Sequence, residues 1–387
     1  MRVLQVFPSI SPSAGAPGNA TTFVRYLLKY GVDATVVTTD ADTHGRLGVP
    51  LREPITHDGV RCIVHPVPRL GRRWKFAPSL GATLRAIVPT SDLVHIHWLY
   101  DFSSIAAARA AVAAGVPFVV QPHGSLDPHL FRRNHLLKRA YLATIGRPLL
   151  SRAAAVIFTA EEERRLAAYP VTGPTWIATV GVDVTRFDHR PPRGSFRQTY
   201  PAVGGPFLLF LGRISPQKGL DLLLGAFRCI LKTRSDLWLV VAGPDYRGYE
   251  AQIRRLAGEL GIAHRVVFTG LVPPEMKLAA FTDAELFVLS SYAENFGVVI
   301  TEALACGLPV VISDRVNIHA ELSAAGVATV VQCDVESLTG GVLSALADPG
   351  LRARIATAGP ALVRSRYSWD ATVPALIRRY REVQRVV

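Results

Sequence analysis

The sequence is poor in cysteine and lacks any long apolar run. Its four cysteines stand at positions 62, 229, 306 and 333, and no two of them form a CxxC pair. We therefore expect buried free thiols rather than a disulfide framework or a zinc site. No uninterrupted apolar stretch reaches the roughly 18 residues that a transmembrane helix requires. The segment 1–10 also lacks the apolar length and the cleavage site of a signal peptide, so the sequence predicts a cytoplasmic protein.

Acidic residues are scarce relative to basic ones. The chain has 43 Lys and Arg against 30 Asp and Glu, which gives a formal net charge of +13 over 387 residues. Residues 1–190 carry a net charge of +9 and the remainder only +4. An excess of this kind is typical of contact with nucleic acid, with anionic lipid or with a phosphorylated substrate.

Alternating apolar periodicities predict strands and helices in turn. A strand over 3–7, a helix over 21–30 and a strand over 34–39 form a βαβ unit, and the alternation continues through most of the chain. A segment with four prolines and three glycines, 188–206, interrupts it and is predicted to be a linker. We therefore expect an amino-terminal domain over 1–187, a second over 207–366, and a last helix over 367–387 that crosses back to the first.

Two common nucleotide-binding motifs are absent from the predicted loops. The P-loop pattern GxxxxGK[ST] does not occur, and the glycines after the first strand, at 15 and 18, lack the GxGxxG spacing. This absence argues against an NAD-dependent dehydrogenase.

The loop over 212–219 has the residues of an anion site. Arg213 and Lys218 lie five positions apart between a predicted strand and a predicted helix, with a glycine at each end of the loop. Backbone N–H groups and the helix dipole at such a junction reinforce the two cations. The alternative is a pair of solvated surface cations.

A second motif, over 294–309, places two carboxylates at another junction between strand and helix. Glu294 is predicted in the loop and Glu302 in the first turns of the helix, and Gly297 allows a close approach of the backbone. Carboxylates placed in this way suit the recognition of hydroxyl groups, at roughly 1.5–3 kcal/mol for each charge-assisted hydrogen bond. The alternative is a helix N-terminus that simply favours acidic residues.

Together the two motifs resemble the retaining nucleotide-sugar glycosyltransferases of the GT-B fold, family 4. They match the patterns GR-x4-KG and E-x-FG-x4-EA-x-A-x-G-x-P-V-V. The segments 92–97 and 121–128 match the amino-terminal domain of a subgroup associated with polysaccharide assembly. The resemblance covers most of the chain. It implies an α/β fold with two Rossmann-like domains, each a doubly wound parallel sheet, which face each other across a cleft.

The resemblance also implies which residues bind the donor. Arg213 and Lys218 would hold the diphosphate and offset the charge that grows on the leaving nucleotide. Glu294 would hold the sugar, Glu302 the ribose hydroxyls, and the backbone near residues 271 and 272 the base. The implied donor-binding residues are Gly212, Arg213, Lys218, Leu271, Val272, Glu294, Asn295, Phe296, Gly297 and Glu302, and the implied catalytic residues are His123, Arg213, Lys218 and Glu294.

In the first half, the resemblance implies contacts from His123 to the donor sugar near its anomeric centre. His97 and Asp127 are candidates for the acceptor side. The family often has a Gly-Gly pair in the loop after the first strand, and this sequence offers no such pair but only Gly15, Gly18 and Asn19.

Two histidines alternate on the predicted strand over 93–97. We expect His95 and His97 to face opposite ways, His95 into the core and His97 towards the site.

The implied reaction is transfer of a hexosyl group, with retention, from a UDP- or GDP-linked sugar to a glycan or lipid-linked acceptor, in cell-surface polysaccharide biosynthesis. No metal or other cofactor is implied, and the single D-x-D, at 40–42, is interpreted as a turn. The alternatives are another GT-B enzyme, such as a nucleotide-sugar 2-epimerase, and a basic non-enzymatic module that binds membrane or nucleic acid.

Two basic segments also carry apolar residues, at 69–75 and 132–139. Ordinary solvated charge is one interpretation. The other is a face that docks on anionic headgroups, and it predicts peripheral attachment to the inner face of the cell membrane. We expect no binding of nucleic acid.

Overall fold

The computed structural model describes residues 1–10, 20–42, 45–69, 74–132 and 134–385. The chain forms two compact units. The first contains Met1–Gly181 and the segment that begins at Trp369, and the second is Val182–Ser368. Both are α/β units, as predicted. In the described residues, no helix has the length and apolar character to span a membrane.

The first unit is built on an eight-stranded sheet with the order β3-β4-β2-β1-β5-β6-β7-β8. Its strand pairs are parallel, apart from the antiparallel hairpin of β3 and β4. Several of the central strands are buried along almost their whole length, as expected for a sheet covered on both faces. The strands are β1 (Arg2–Val6), β2 (Asp33–Thr39), β3 (Pro54–His57), β4 (Val60–His65), β5 (Leu93–His97), β6 (Phe118–Gln121), β7 (Ala155–Phe158) and β8 (Thr175–Ile177).

Helices cover both faces of this sheet and create two apolar cores. One core includes apolar residues of α2, α3, α5 and α6, and the other those of α1 and α16. The last helix therefore completes the core of the first unit. The helices are α1 (Ala20–Lys29), α2 (Pro78–Ile87), α3 (Phe102–Ala114), α4 (Pro128–Arg132), α5 (His135–Tyr141), α6 (Arg147–Arg152), α7 (Glu161–Leu166) and, at the end of the chain, α16 (Trp369–Gln384).

The second unit has a six-stranded parallel sheet with the order β11-β10-β9-β12-β13-β14. Its strands are β9 (Phe207–Leu211), β10 (Trp238–Ala242), β11 (Val266–Gly270), β12 (Leu286–Leu289), β13 (Val310–Ser313) and β14 (Ala328–Val331). Its helices are α8 (Ser195–Thr199), α9 (Leu220–Ile230), α10 (Tyr249–Glu259), α11 (Pro274–Asp283), α12 (Val298–Ala305), α13 (His319–Ala324), α14 (Val335–Ala347) and α15 (Leu351–Leu362).

The segment predicted as a linker, 188–206, lies within this second unit. It contains α8, and the Asp283 carboxylate accepts hydrogen bonds from the backbone N–H groups of Gly194 (2.6 Å) and Phe196 (2.9 Å). The division between the units falls at 181/182, six residues before the predicted end of the first domain.

The strand order of each sheet indicates where a ligand would bind. In the first sheet the winding reverses between β1 and β5, and in the second between β9 and β12. Ligands of open α/β sheets bind at the carboxyl ends of the strands at such a reversal. The loops that follow these four strands are therefore the ones to inspect.

Candidate active site

The loop after β9 is held against the loop after β12 by close backbone contacts. Gly219 has a φ of +64°, and a Cβ atom there would lie 2.0 Å from the Ser290 carbonyl oxygen. The Ser290 hydroxyl donates to the Gly219 carbonyl oxygen (2.7 Å), and the Tyr292 N–H donates to the Gln217 carbonyl oxygen (2.9 Å). Only glycine fits at 219, and its fit brings the two predicted motifs together.

Lys218 and Glu294, one from each motif, form an ion pair. Their side chains are only 17% and 13% exposed. The backbone of Glu294 is fixed as well, because its N–H donates to the Arg315 carbonyl oxygen (3.0 Å) and its carbonyl oxygen accepts from the Asn317 N–H (3.0 Å). The residue predicted to bind phosphate, Lys218, and the residue predicted to bind the sugar, Glu294, therefore lie side by side in one unit.

Arg213 is exposed, and its guanidinium carbon lies 5.5 Å from the centre of the Tyr246 ring. Tyr246 is placed there because its N–H donates to the Ile214 carbonyl oxygen (3.1 Å). The loop after β10 thus supports the loop after β9. The guanidinium remains exposed at the carboxyl edge of the sheet, where an anion can reach it.

Glu302 has a partner that the sequence did not suggest. The Lys277 ammonium, on α11, lies 2.5 Å from a carboxylate oxygen of Glu302, and both side chains are largely buried. Just before α11, Leu271 is 75% exposed while Val272 is buried. Lys277 therefore contacts the residue predicted to bind the ribose, and its helix follows directly after the residues predicted to bind the base.

The residues between the two glutamates shape the start of α12. Gly297, with a φ of +74°, is the residue before the helix, and a Cβ atom there would lie 2.7 Å from Ile300 Cδ1. Phe296 is buried and packs against the Tyr367 ring, with centroids 5.8 Å apart. This packing leaves the backbone of 295–297, rather than the Phe296 side chain, for a ligand.

In the first unit, the carboxyl ends of β5 and β6 bring two histidines together. His97 Nδ1 lies 2.9 Å from His123 Nε2, and His97 Nε2 lies 2.9 Å from Gln5 Oε1 on β1. Burial lowers the pKa of His123 to about 3 and lowers that of His97 well below its ordinary value. Both rings are therefore neutral at physiological pH.

The prediction that His95 and His97 face opposite ways is wrong. Their ring centroids are 3.9 Å apart, and His95 is buried with its Nδ1 atom 2.6 Å from the Tyr380 hydroxyl. Successive residues alternate across a strand, so two residues that are two positions apart share a face. His95 nevertheless lies in the core.

The turn that carries His123 is anchored by a buried glutamate. Glu163, on α7, accepts hydrogen bonds from the Gly124 N–H (2.6 Å), the Thr159 N–H (2.6 Å) and the Thr159 hydroxyl (2.7 Å). Its burial raises the pKa of the carboxyl group. The sequence indicated only an acidic helix start at 161–163, and nothing local to it distinguishes the buried residue from its exposed neighbours.

Asp127 has a local structural contact in the same loop. Its carboxylate accepts from the His129 N–H (2.7 Å) at the start of α4. The remaining candidates of the first unit, Gly15, Gly18 and Asn19, lie outside the described residues.

Two family models match the chain, and between them they cover most of it. Residues 194–361 match the model described as glycosyl transferases group 1, and residues 19–175 match the glycosyl transferase 4-like domain. A D-inositol 3-phosphate glycosyltransferase of Streptomyces scabiei is 31% identical over 75% of this chain and 67% of its own length. The chain belongs to glycosyltransferase family 4. The resemblance of its two motifs is thereby confirmed.

Another relative of this glycosyltransferase matches along almost its full length. The GDP-mannose:cellobiosyl-diphosphopolyprenol alpha-mannosyltransferase of Xanthomonas oryzae pv. oryzae is 28% identical over 99% of this chain and 97% of its own length.

Solved structures confirm the GT-B fold of the glycosyltransferase. Sucrose-phosphate synthase from Thermosynechococcus elongatus superposes with a TM-score of 0.78 at 21% identity, and the superposition covers 100% of each chain. Anabaena HepE, in complex with UDP and glucose, has a TM-score of 0.77 at 21% identity over 99% of this chain and all of the other.

Proposed function

We propose that this glycosyltransferase moves a hexosyl group from a nucleotide diphosphate sugar to a saccharide or lipid-linked acceptor, with retention of configuration and without a metal. The observation that carries the proposal is the Lys218–Glu294 ion pair, whose lysine lies in the same loop after β9 as the exposed Arg213. In the proposal, Lys218 and Arg213 bind the diphosphate and the neighbouring Glu294 carboxylate binds sugar hydroxyls. The cell-surface polysaccharide context rests on the resemblance of the first half of the chain.

In the proposed reaction the acceptor oxygen bonds to the anomeric carbon as the bond from that carbon to the diphosphate breaks. The acceptor proton passes to the leaving phosphate oxygen. Arg213 and Lys218 stabilise the negative charge on the leaving group, which is the main electrostatic requirement of the step. Glu294 orients the sugar through its hydroxyl groups and does not attack it.

The donor is the first thing to test. A relative that matches along almost its full length has GDP-mannose in its name, and a structural neighbour binds UDP and glucose, so GDP-mannose and UDP-glucose are the first two donors to compare. We expect the purified protein to release nucleotide from one of them in the presence of EDTA. An NMR assignment of the product should show the anomeric configuration of the donor. Absence of turnover with every nucleotide sugar, together with normal nucleotide binding by Arg213→Ala, would count against the transferase.

We also propose that the first unit docks on an anionic membrane. Leu136 and Leu137 on α5 are 70% and 52% exposed, next to Arg139, which is also exposed. Apolar side chains beside cations are the composition of an interfacial helix. Of the two basic segments that prompted this proposal, residues 70–73 and 133 lie outside the described residues.

Vesicle co-sedimentation tests the docking. We expect binding to vesicles with anionic lipid and none to neutral vesicles, with loss of binding in Leu136→Ser/Leu137→Ser. Leu28→Ser, which alters another exposed leucine of the same unit, is the control and should bind normally. Equal binding to both kinds of vesicle would contradict the proposal.

A further inference from the structure

The contact between His97 and His123 is one link in a chain of three side chains. Gln5 on β1, His97 on β5 and His123 after β6 are joined by two hydrogen bonds of 2.9 Å. In the sheet, β5 lies between β1 and β6, so the parallel register itself brings the three residues together.

The direction of these hydrogen bonds follows from counting protons. With the amide oxygen of Gln5 facing His97 Nε2, that oxygen accepts the hydrogen bond and His97 carries its proton on Nε2. A neutral imidazole has one N–H, which leaves His97 Nδ1 as an acceptor. His123 must then donate from Nε2, and its own Nδ1 atom is unprotonated.

Packing fixes the rings in the orientation that this chain needs. Phe7 stacks on His97 with centroids 3.8 Å apart and a 9° angle between the planes. Trp98 stacks on His123 at 4.3 Å and 28°. The His123 backbone has a φ of +50°, and the adjacent Gly124 N–H is bound by Glu163. A half-turn of either ring would move its nitrogen atoms away from their hydrogen-bond partners.

We propose that Gln5 and His97 are positioning residues that hold His123 as the tautomer with its proton on Nε2, so that Nδ1 accepts a hydrogen bond from a saccharide hydroxyl. The inference rests on the proposed function for its saccharide, and on the contacts above for its tautomer. It makes His123 an acceptor towards the sugar and not a proton donor. This suits a reaction in which the acceptor proton leaves with the phosphate.

The tautomer can be measured without activity, by ¹⁵N NMR of histidine-labelled full-length protein. We expect His123 to show a protonated Nε2 and an unprotonated Nδ1 at pH 7. In His97→Phe, which keeps a ring against Phe7 but removes both nitrogens, we expect a mixture of tautomers. Gln5→Leu should give the same mixture, because it removes the acceptor that orients His97.

His95→Phe is the matched control, since His95 lies on the same face of β5, touches His97 and has no hydrogen bond to His123. It should leave the His123 tautomer and kcat unchanged. His97→Phe should lower kcat about tenfold, as one neutral hydrogen bond would, with the nucleotide Kd unchanged.

The outcomes separate the two proposals. A proton on His123 Nδ1 in the wild type, or identical NMR and kinetic behaviour of His97→Phe and His95→Phe, would overturn the positioning role of Gln5 and His97 even if sugar transfer is observed. The expected tautomer without transfer from any donor would support that positioning role and overturn the role of His123 towards a saccharide.

Discussion

The Lys277 ammonium lies 2.5 Å from a carboxylate oxygen of Glu302, in the part of the second unit where a ribose is predicted to bind. A carboxylate has lone pairs for several donors, so the lysine can hold one oxygen while the other accepts from a hydroxyl. The ion pair therefore orients Glu302 without blocking it.

This arrangement predicts how the nucleotide affinity responds to the ribose. Glu302→Gln should weaken binding of the ribonucleotide by roughly 10- to 100-fold, the range for a charge-assisted hydrogen bond. The wild type should bind a 2′-deoxynucleotide more weakly than the ribonucleotide. Glu302→Gln should bind the two nucleotides with equal affinity. Isothermal titration calorimetry measures the affinity of each protein for each nucleotide. Glu285→Gln, which removes a carboxylate paired with Arg352 elsewhere in the unit, is the control.

The Lys218–Glu294 pair predicts opposite effects for its two members. Lys218→Met should lower kcat/KM roughly 100- to 1000-fold, as expected for loss of a group that stabilises transition-state charge, and should weaken binding of the nucleotide diphosphate. Glu294→Gln should bind the nucleotide at least as well as the wild type, because Lys218 is released, while transfer falls. The double variant should lose less than the sum of the two losses, because the residues are in contact. Lys232→Met, on the exposed surface of the same unit, should behave as the wild type.

The buried Glu163 predicts a large loss of stability for a small change. Glu163→Gln puts an NH₂ group where a carboxylate oxygen accepts from N–H and O–H donors, so we expect a loss of about 1–3 kcal/mol in the free energy of unfolding. Urea denaturation measures it. Glu161→Gln, which alters an exposed pair with Arg164, should cost less than about 0.5 kcal/mol. Equal costs would show that the anchor on Gly124 is unimportant.

The buried histidines predict that stability falls as the pH is lowered from about 6.5. Burial lowers the pKa of His65 to about 4 and that of His123 to about 3, so the unfolded chain binds more protons than the folded chain below the ordinary value of 6.5. The stabilisation is therefore complete above pH 6.5 and is lost as the pH falls towards the folded values. Each such histidine contributes a slope of at most about 1.4 kcal/mol per pH unit.

The contribution of one histidine can be isolated by substitution. The unfolding free energy of His65→Asn should depend less steeply on pH between 6 and 4.5 than that of the wild type. His264→Asn, at an exposed position, should leave the slope unchanged. A wild-type stability that is flat from pH 7 to pH 4.5 would contradict the prediction.

Most of what the sequence predicts about the fold and the candidate site rests on residues that are close together in the chain. The motifs at 212–219 and 294–302 are each a strand end, a loop and a helix start, so their residues are close in the sequence as well as in the structure. The hairpin of β3 and β4 was missed although Asp58-Gly59, both with positive φ, marks its turn. Such an Asp-Gly pair between apolar runs is a strong hairpin signal.

Partners that are distant in the chain could not be predicted. Lys277 is 25 positions from Glu302, Glu163 is 39 from Gly124, and Gln5 is 92 from His97. No periodicity links such pairs, because each depends on which strands become neighbours. The strand order of the sheet supplies that information, and no alternation of apolar residues contains it.

The first unit is completed by residues that are synthesised after the whole of the second. Trp369, Leu376 and Tyr380 belong to its core, so a nascent chain leaves the part of that core not covered by α1 exposed until α16 is made. The second unit can fold before then, and its folding joins the Val182 N–H to the Tyr367 carbonyl oxygen (2.8 Å). The ends of a long insertion are thereby brought together before α16 docks, so most of the loop-closure entropy is already lost. Folding of the second unit therefore precedes and favours the docking of α16 on the first unit. Destabilising the second unit should slow the folding of both units.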